Sequence, residues 1–432
     1  MLRIKSVFGL VLLLLGAVAP AQADAVVDWN EITVQAASVG RPGPIGIVDI
    51  ALVQVAVHDA VQALDRQFEP YHAEIDAARG ERVKGHRSAA IAAAAHDVLV
   101  AIYPAQAATL DATYFSYLAD HGLDGDPGIL VGKQVAARIV PLRRVNPNPL
   151  PPAFVGGTDP GVWRPTPSLL GNPPTPAPFS PMATPWMAGF DPFTLTSPTR
   201  FRAPPAPALT SDRYTRDYNE VRELGSLTST KRTAEQTDLA YFYVETAPVL
   251  WNRALRGIAT RYLRKSSDTA RLFALANLAT ADALITCWDS KTHHAVWRPI
   301  TAIREGEADG NPATVGDPAW QPLINNPNYP DYTSGANVVT GAMTRTLELF
   351  FGTDKLVFDV TTAAPQAVQK VRRYYRFSDA ARDVVDARIL LGIHFRFADT
   401  EARRQGRSVA DWTFNHFLLP LGSRDHHGGG QW

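Results

Sequence analysis

Apolar residues recur at helical spacing over most of this chain. GPIGIVDIALVQVAVHDAVQAL, Gly43 to Leu64, and AAIAAAAHDVLVAIYPAQAATLDATYFSYL, Ala89 to Leu118, each carry the apolar stripe of a bundle helix. The same period returns after Thr210 and predicts helices over Ser211 to Leu224, Thr233 to Tyr243, Val249 to Arg264, Ser267 to Trp297, Ser334 to Phe351, Ala364 to Arg373 and Ser378 to Ile393. Strand-like alternation is sparse, and no dinucleotide fingerprint, phosphate-binding P-loop or repeat period is present. The fold class that follows is all-α, with helices packed as one or two bundles.

Two stretches interrupt the pattern. Glu305 to Tyr332 is rich in Gly, Pro and Asn and reads as a loop, while between Arg144 and Leu209 the strings NPNPLPP, NPPTPAP and APPAPAL break any period. Trp163, Phe179, Trp186, Phe190, Phe193 and Phe201 are more aromatics than a flexible linker carries. The segment is therefore expected to be ordered, irregular and packed over the helices. It divides the chain into an N-terminal helical part (24–143), the proline-rich segment (144–209) and a C-terminal helical domain (210–432). His58-Asp59 and His96-Asp97 fall inside apolar helices and read as satisfied polar pairs rather than metal ligands.

Composition narrows the function classes. With 46% hydrophobic and 19% charged residues over 432 positions, the chain has enough material for a large core. Lys plus Arg and Asp plus Glu both total 42, so no global field gathers nucleic acid or anionic membrane, and any basic site must be local. Arg3 and Lys5, the apolar run Val7 to Val18 and Ala21-Gln22-Ala23 have the form of a signal peptide over residues 1–23, with a mature start at Asp24. No later segment reads as long and uncharged enough to span a membrane. The expected location is the periplasm or outside the cell. Cys287 is the only cysteine, so no intrachain disulfide forms. Asp425-His426-His427 and the glycines after them read as a tail.

Three segments carry candidate chemistry. In WDSKTHHAVWRPITAIR, Lys291 and Arg298 are seven residues apart, close to two helical turns and roughly 10 Å along the axis, so two cations share a face before Pro299 ends the helix. Such a pair alone is more often a solvated face, but Trp288, Val296, Trp297 and Ile300 make this a poor surface. In NNPNYPDYTSGANVV, Ser334-Gly335 opens a helix, where a hydroxyl, free N–H groups and the positive helix end suit an oxyanion; simple capping by Ser334 is the plainer alternative. In DARILLGIHFRFADTEARR, Arg388 precedes His394 by six residues. An arginine grips oxyanion edges in bidentate fashion, and a histidine in a polar cluster can be a nucleophile or a metal ligand.

Taken in order, the Lys-x6-Arg-Pro, Ser-Gly and Arg-x5-His elements resemble the signature of the vanadium-dependent haloperoxidases and the type-2 phosphatidic acid phosphatases and bacterial acid phosphatases related to them. WRPITAIR, GIHFRF, VQVAVHDAVQAL, FRAPPAPALTSDRY and RTAEQT are similar to the exported bacterial haloperoxidase-like branch, so the resemblance covers most of the chain. It implies the helical-bundle fold of that superfamily and a vanadate cofactor, with phosphate suiting the same site. It further implies that His394 is the ligand to vanadium, or the phosphorylated nucleophile of a phosphatase. Lys291, Arg298 and Arg388, with the Ser334 hydroxyl and Gly335 N–H, would neutralise the oxyanion oxygens, and Lys291 would polarise peroxide. Tyr329 and Trp288 occupy positions of aromatics near the halide. The partners implied are hydrogen peroxide and halide, or a phosphoester, in a protein that binds no nucleic acid and can form homo-oligomers.

The chain departs from that pattern at three positions: Thr333 stands where proline is frequent, Ala398 stands where an acidic residue usually follows the active histidine by four, with Asp399 next to it, and Ala336 is the departure that matters most. The second element normally reads Ser-Gly-His, the histidine acting as acid-base group, and here the third residue is Ala336, which has no proton to give. His293 and His294 are candidates to replace it, and Asp399 or Glu401 is a candidate to orient the Nδ1 of His394. The resulting expectation is a vanadate-dependent haloperoxidase-like enzyme favouring bromide or iodide. The alternatives are an acid phosphatase working through phospho-His394 and a redirected or non-catalytic oxyanion-binding protein.

Overall fold

The computed structural model describes residues 24–41, 43, 46–75, 85–142, 154–167 and 182–422. The expected signal peptide, the histidine-containing tail, Phe179 and most of the proline strings lie outside them. The helices in chain order are α1 (Ala25–Gly40), α2 (Gly46–Asp65), α3 (Arg87–Ile102), α4 (Ala107–Asp120), α5 (Gly128–Ile139), α6 (Asp212–Leu224), α7 (Ala234–Phe242), α8 (Ala247–Tyr262), α9 (Ser266–His294), α10 (Pro299–Arg304), α11 (Gly335–Phe351), α12 (Phe377–Leu390) and α13 (Arg396–His416). Strands β1 (Lys355–Thr361) and β2 (Val371–Arg376) form an antiparallel hairpin between α11 and α12. The fold is mainly helical.

The centre is α9, in which every residue from Thr269 to Lys291 is buried. A helix that is apolar all round must be enclosed, and α2, α11, α13 and α1 pack around it. By length and apolarity both α2 and α9 reach the threshold for a membrane span, which corrects the expectation that no later segment does. Burial inside the bundle accounts for their composition: 89% of the relevant window of α2 and all of that of α9 are covered by protein.

Two predicted elements come out differently. The apolar run from Ala89 to Leu118 breaks at Pro104, which has no N–H for the helical ladder, and the chain turns by 117° between α3 and the following helix. The helix expected over Ala364 to Arg373 does not form; that stretch leads into β2, whose sequence VRRYYR buries Tyr374 alone. Tyr374 pairs with Phe358 across the hairpin, ring centroids 5.7 Å apart, so a cross-strand contact outweighs the local helical spacing. Conversely α13, too polar to announce itself, is a helix whose Phe397, Ala398, Ala402, Val409 and Ala410 face the core.

Helices α11 and α13 touch backbone to backbone. A Cβ on Gly406 would lie 2.1 Å from the Val338 carbonyl oxygen, and one on Gly341 2.4 Å from that of Arg403. This approach sets the two helix N-termini side by side, where the Ser334 N–H donates to Ala398 O at 3.2 Å. The described parts of the proline-rich segment run along α9: Asp282 accepts from the N–H groups of Phe193 and Thr194, both at 2.6 Å, and Arg202 forks onto Asp289 with two 2.7 Å bonds. Asp59 likewise accepts from the N–H groups of Tyr71, His72 and Ala73, and His96 sits between Asp97 and Asp111, 2.8 Å from each. These pairs hold chain segments together.

Candidate functional site

Lys291 occupies the last buried turn of α9, after which Ala295 adopts a left-handed conformation and the helix stops. Arg298 is the extended residue that caps α10, with Pro299 as its first helical position. The two cations are therefore not two turns apart on one helix, as their spacing predicts. Each reaches instead for the loop before α11. The Lys291 ammonium donates to Pro330 O at 2.5 Å and Asp331 O at 3.1 Å, while Arg298 Nε donates to Tyr329 O at 2.8 Å and Nη1 to Ile393 O at 2.6 Å.

His394 enters the same space from the end of α12, where Gly392 (φ 77°) makes a turn that a side chain could not share with the Gly225 carbonyl, 2.4 Å from an added Cβ. Its Nδ1 lies 2.7 Å from Asp331 Oδ1, and Arg298 Nη1 lies 3.2 Å from its Nε2. With the carboxylate accepting the Nδ1 proton, Nε2 keeps its lone pair for the cavity. The orienting carboxylate is Asp331, which sequence reasoning missed although it stands three residues before Ser334. Asp399 accepts from Asn337 instead, at 2.7 Å, and Glu401 pairs with Arg404. His293 is exposed and His294 lies 2.8 Å from Ala203 O, so neither replaces an acid at position 336.

Ser334 precedes α11 in the capping position, yet its hydroxyl makes no capping bond and, though buried, has no hydrogen-bond partner among the described residues. Gly335 begins the helix against Trp288, whose ring is 3.5 Å from where a Cβ would be. Arg388, in the last turn of α12, donates through Nη1 to Tyr243 O at 3.1 Å. Tyr329 lies between the cations and Trp288, its ring 4.9 Å from both the Lys291 ammonium and the Arg298 guanidinium and 5.1 Å from the Trp288 ring.

Burial dominates the electrostatics. It lowers the Lys291 ammonium to about 7, raises the Asp331 carboxyl to about 7, and holds the His394 imidazole well below its usual range, with Arg298, Lys291 and Arg388 adding to the last effect. His394 is thus neutral at physiological pH. Three buried donors around it, Arg298 Nη2, Arg388 Nε and Ser334 Oγ, lack partners among the described residues. Buried donors are normally satisfied, so a ligand with several acceptor oxygens would suit these three, while the acceptors Asp331 Oδ2, Asn337 Oδ1 and Asp399 Oδ2 are likewise buried without a partner among the described residues. The donor set of one imidazole among cations suits an oxyanion such as vanadate or phosphate. Among the described residues no group of three or more His, Cys, Asp or Glu could hold a bare metal ion.

Residues 271–421 match the model of the VCPO second helical-bundle domain. Vanadium chloroperoxidase of Curvularia inaequalis is 29% identical over 238 residues, a match covering 41% of this chain and 38% of that protein. The C-terminal part of the chain is thus similar in sequence to vanadium haloperoxidases. It spans under two fifths of the length of that curated relative, whose match is 38% of its own chain. Structural agreement extends further along the chain. A bacterial vanadium-dependent iodoperoxidase superposes with a TM-score of 0.74 at 24% identity, covering 93% of this chain and 99% of that one. The holo form of a bacterial vanadium-dependent chloroperoxidase gives 0.70 at 19% identity over 89% and 95%. At these identities the two structures establish a shared haloperoxidase fold.

Proposed function

We propose that the protein is a vanadate-dependent haloperoxidase-like enzyme that uses hydrogen peroxide to oxidise bromide or iodide. The observation that carries the reading is the set of unpartnered buried donors, Arg298 Nη2, Arg388 Nε and Ser334 Oγ, arranged around a neutral His394. Lys291, Arg298, Arg388, the Ser334 hydroxyl and the Gly335 N–H would hold the oxyanion oxygens, and His394 Nε2 would be the metal ligand. When bound, vanadate supplies the Lewis acid that activates hydrogen peroxide toward halide. Asp331 fixes the His394 tautomer, as carboxylates do for metal-bound imidazoles. Trp288 and Tyr329 wall the cations off from water and raise the value of each charge. Bromide and iodide are favoured because they are easier to oxidise and position 336 carries no acid. The signal-like N-terminus supports export to the periplasm or beyond.

The test is peroxide-dependent bromination and iodination by the chain from Asp24, with and without orthovanadate, beside p-nitrophenyl phosphate hydrolysis. Vanadate-dependent halogenation is the expected result. Phosphate release inhibited by vanadate would replace the reading with a phosphatase acting through phospho-His394, and oxyanion binding with neither activity would replace it with a non-catalytic binder.

A further inference from the structure

Asp399 lies in the first turn of α13, fully buried, and its two oxygens have different surroundings. Oδ1 accepts from the Asn337 amide at 2.7 Å, whereas Oδ2 has no partner among the described residues. Asn337 is the residue directly after Ala336, so the carboxyl is tethered to the same turn of α11 that lacks the acid. Ser334 Oγ lies beside the carboxyl without forming a well-directed hydrogen bond and is also unpartnered. The backbone bond from Ser334 N–H to Ala398 O fixes the spacing of the two helix ends.

We propose that Asp399 is the proton-donating group of this oxyanion site: Asn337 fixes Oδ1, and the free Oδ2, on a carboxyl beside the Ser334 hydroxyl, holds the proton that position 336 cannot carry. Burial, with the Asp331 charge adding to it, lifts the carboxyl to about 8, against the opposing pull of Ser334, Arg388 and Asn337. Lys291 and Arg298 complete the charged groups that feel it. The acid is therefore mostly protonated at neutral pH, when an ordinary aspartate is ionised. This inference rests on the haloperoxidase reading and gives its proton a source. Oxidation of bromide by hydrogen peroxide consumes one proton: the O–O bond breaks, an O–Br bond forms, bromide gives up two electrons, and the departing oxygen takes the Asp399 proton to leave as water. Solvent then reprotonates the carboxylate.

Asp399→Asn keeps the size of the side chain and an acceptor for Asn337, so it removes the proton with little other change. Three measurements on the full mature chain test the proposal. The infrared difference between wild type and Asp399→Asn at pH 7, without added oxyanion, should show the C=O stretch of a protonated carboxylic acid; its absence overturns the proposal whether or not vanadate binds. Orthovanadate affinity, read by calorimetry, should be retained in the variant, while bromide or iodide turnover falls by about 100-fold or more, the usual worth of a positioned acid. Adding Ala336→His to Asp399→Asn should recover at least about tenfold of that loss, which a purely structural role for Asp399 would not allow. Turnover within about threefold of wild type in Asp399→Asn, with vanadate bound, overturns the acid assignment and leaves the haloperoxidase reading intact. Failure of the wild type itself to bind vanadate overturns that reading instead.

Discussion

Whether Ser334 caps α11 or waits for a ligand can be decided by one substitution, Ser334→Ala. A serine that caps a helix loses about 1 kcal/mol on change to alanine. Ser334 has the extended backbone of a cap, but its hydroxyl makes no bond to α11 and lies beside the Asp399 carboxyl without a well-directed partner, so the folded chain has no capping bond to lose. Removing an unsatisfied buried hydroxyl is neutral or slightly favourable. The apo-protein should therefore melt within about 0.5 °C of wild type, since 1 kcal/mol corresponds to about 1 °C in a chain of this size. Thr233→Ala is the control: Thr233 accepts from Gln236 N–H at 3.2 Å and the Gln236 side chain returns the bond at 2.9 Å, a complete capping box whose loss should lower Tm. Oxyanion binding should show the reverse order. A hydrogen bond to a charged ligand contributes about 1.5–3 kcal/mol, so orthovanadate or phosphate affinity, measured by calorimetry, should fall by about 10- to 150-fold in Ser334→Ala. It should stay unchanged in Thr233→Ala. A clear drop in Tm with unaltered affinity would show that the hydroxyl is structural and refute the placement of Ser334 in the ligand shell.

Asp331→Ala should leave His394 Nδ1 without its acceptor and Arg298 without its nearest carboxylate, and vanadate affinity should fall by about 10- to 100-fold, the usual cost of losing a carboxylate behind a ligating imidazole; unchanged affinity would remove Asp331 from the site. Gly406→Ala should force α13 off α11, because its Cβ would meet the Val338 carbonyl at 2.1 Å, destabilising the chain by about 1–3 kcal/mol or more in denaturant titration and weakening oxyanion binding with it. Two buried carboxyls contribute to apo-protein stability with a definite sign, opposite to that of Lys291 and His394, whose folded values are lowered. Asp331 and Asp399 titrate near 7 and 8 when folded but near 3.8 when unfolded, so between those limits the folded state holds more protons. Their contribution is complete below about pH 4 and is lost as pH rises toward 8, and Asp399→Asn should flatten that part of a Tm-against-pH curve.

Much of this molecule was legible in its sequence because its helices carry long apolar stripes, and α2, α6, α7, α8, α9, α11 and α12 lie where that period put them, within a few residues at their ends. The polar α13 and the hairpin after α11 were not, since the first depends on glycines that admit a neighbouring backbone and the second on a Phe358–Tyr374 contact between strands. Lys291, Arg298, Ser334, Gly335, Arg388 and His394 were named through the resemblance of their three ordered motifs to a known family, since each motif alone has a plainer structural reading. Periodicity misled on how two of them meet: Lys291 and Arg298 lie on either side of a helix end and converge through the carbonyls of Tyr329, Pro330 and Asp331. Only the tertiary structure set Asp331 behind His394 and Asp399 against Asn337, since those pairs are 63 and 62 residues apart and a carboxylate's partner is decided by which helix ends the packing brings together. The chain itself fixed which chemistry was available; burial and close approach decided which groups carry protons and which face the ligand.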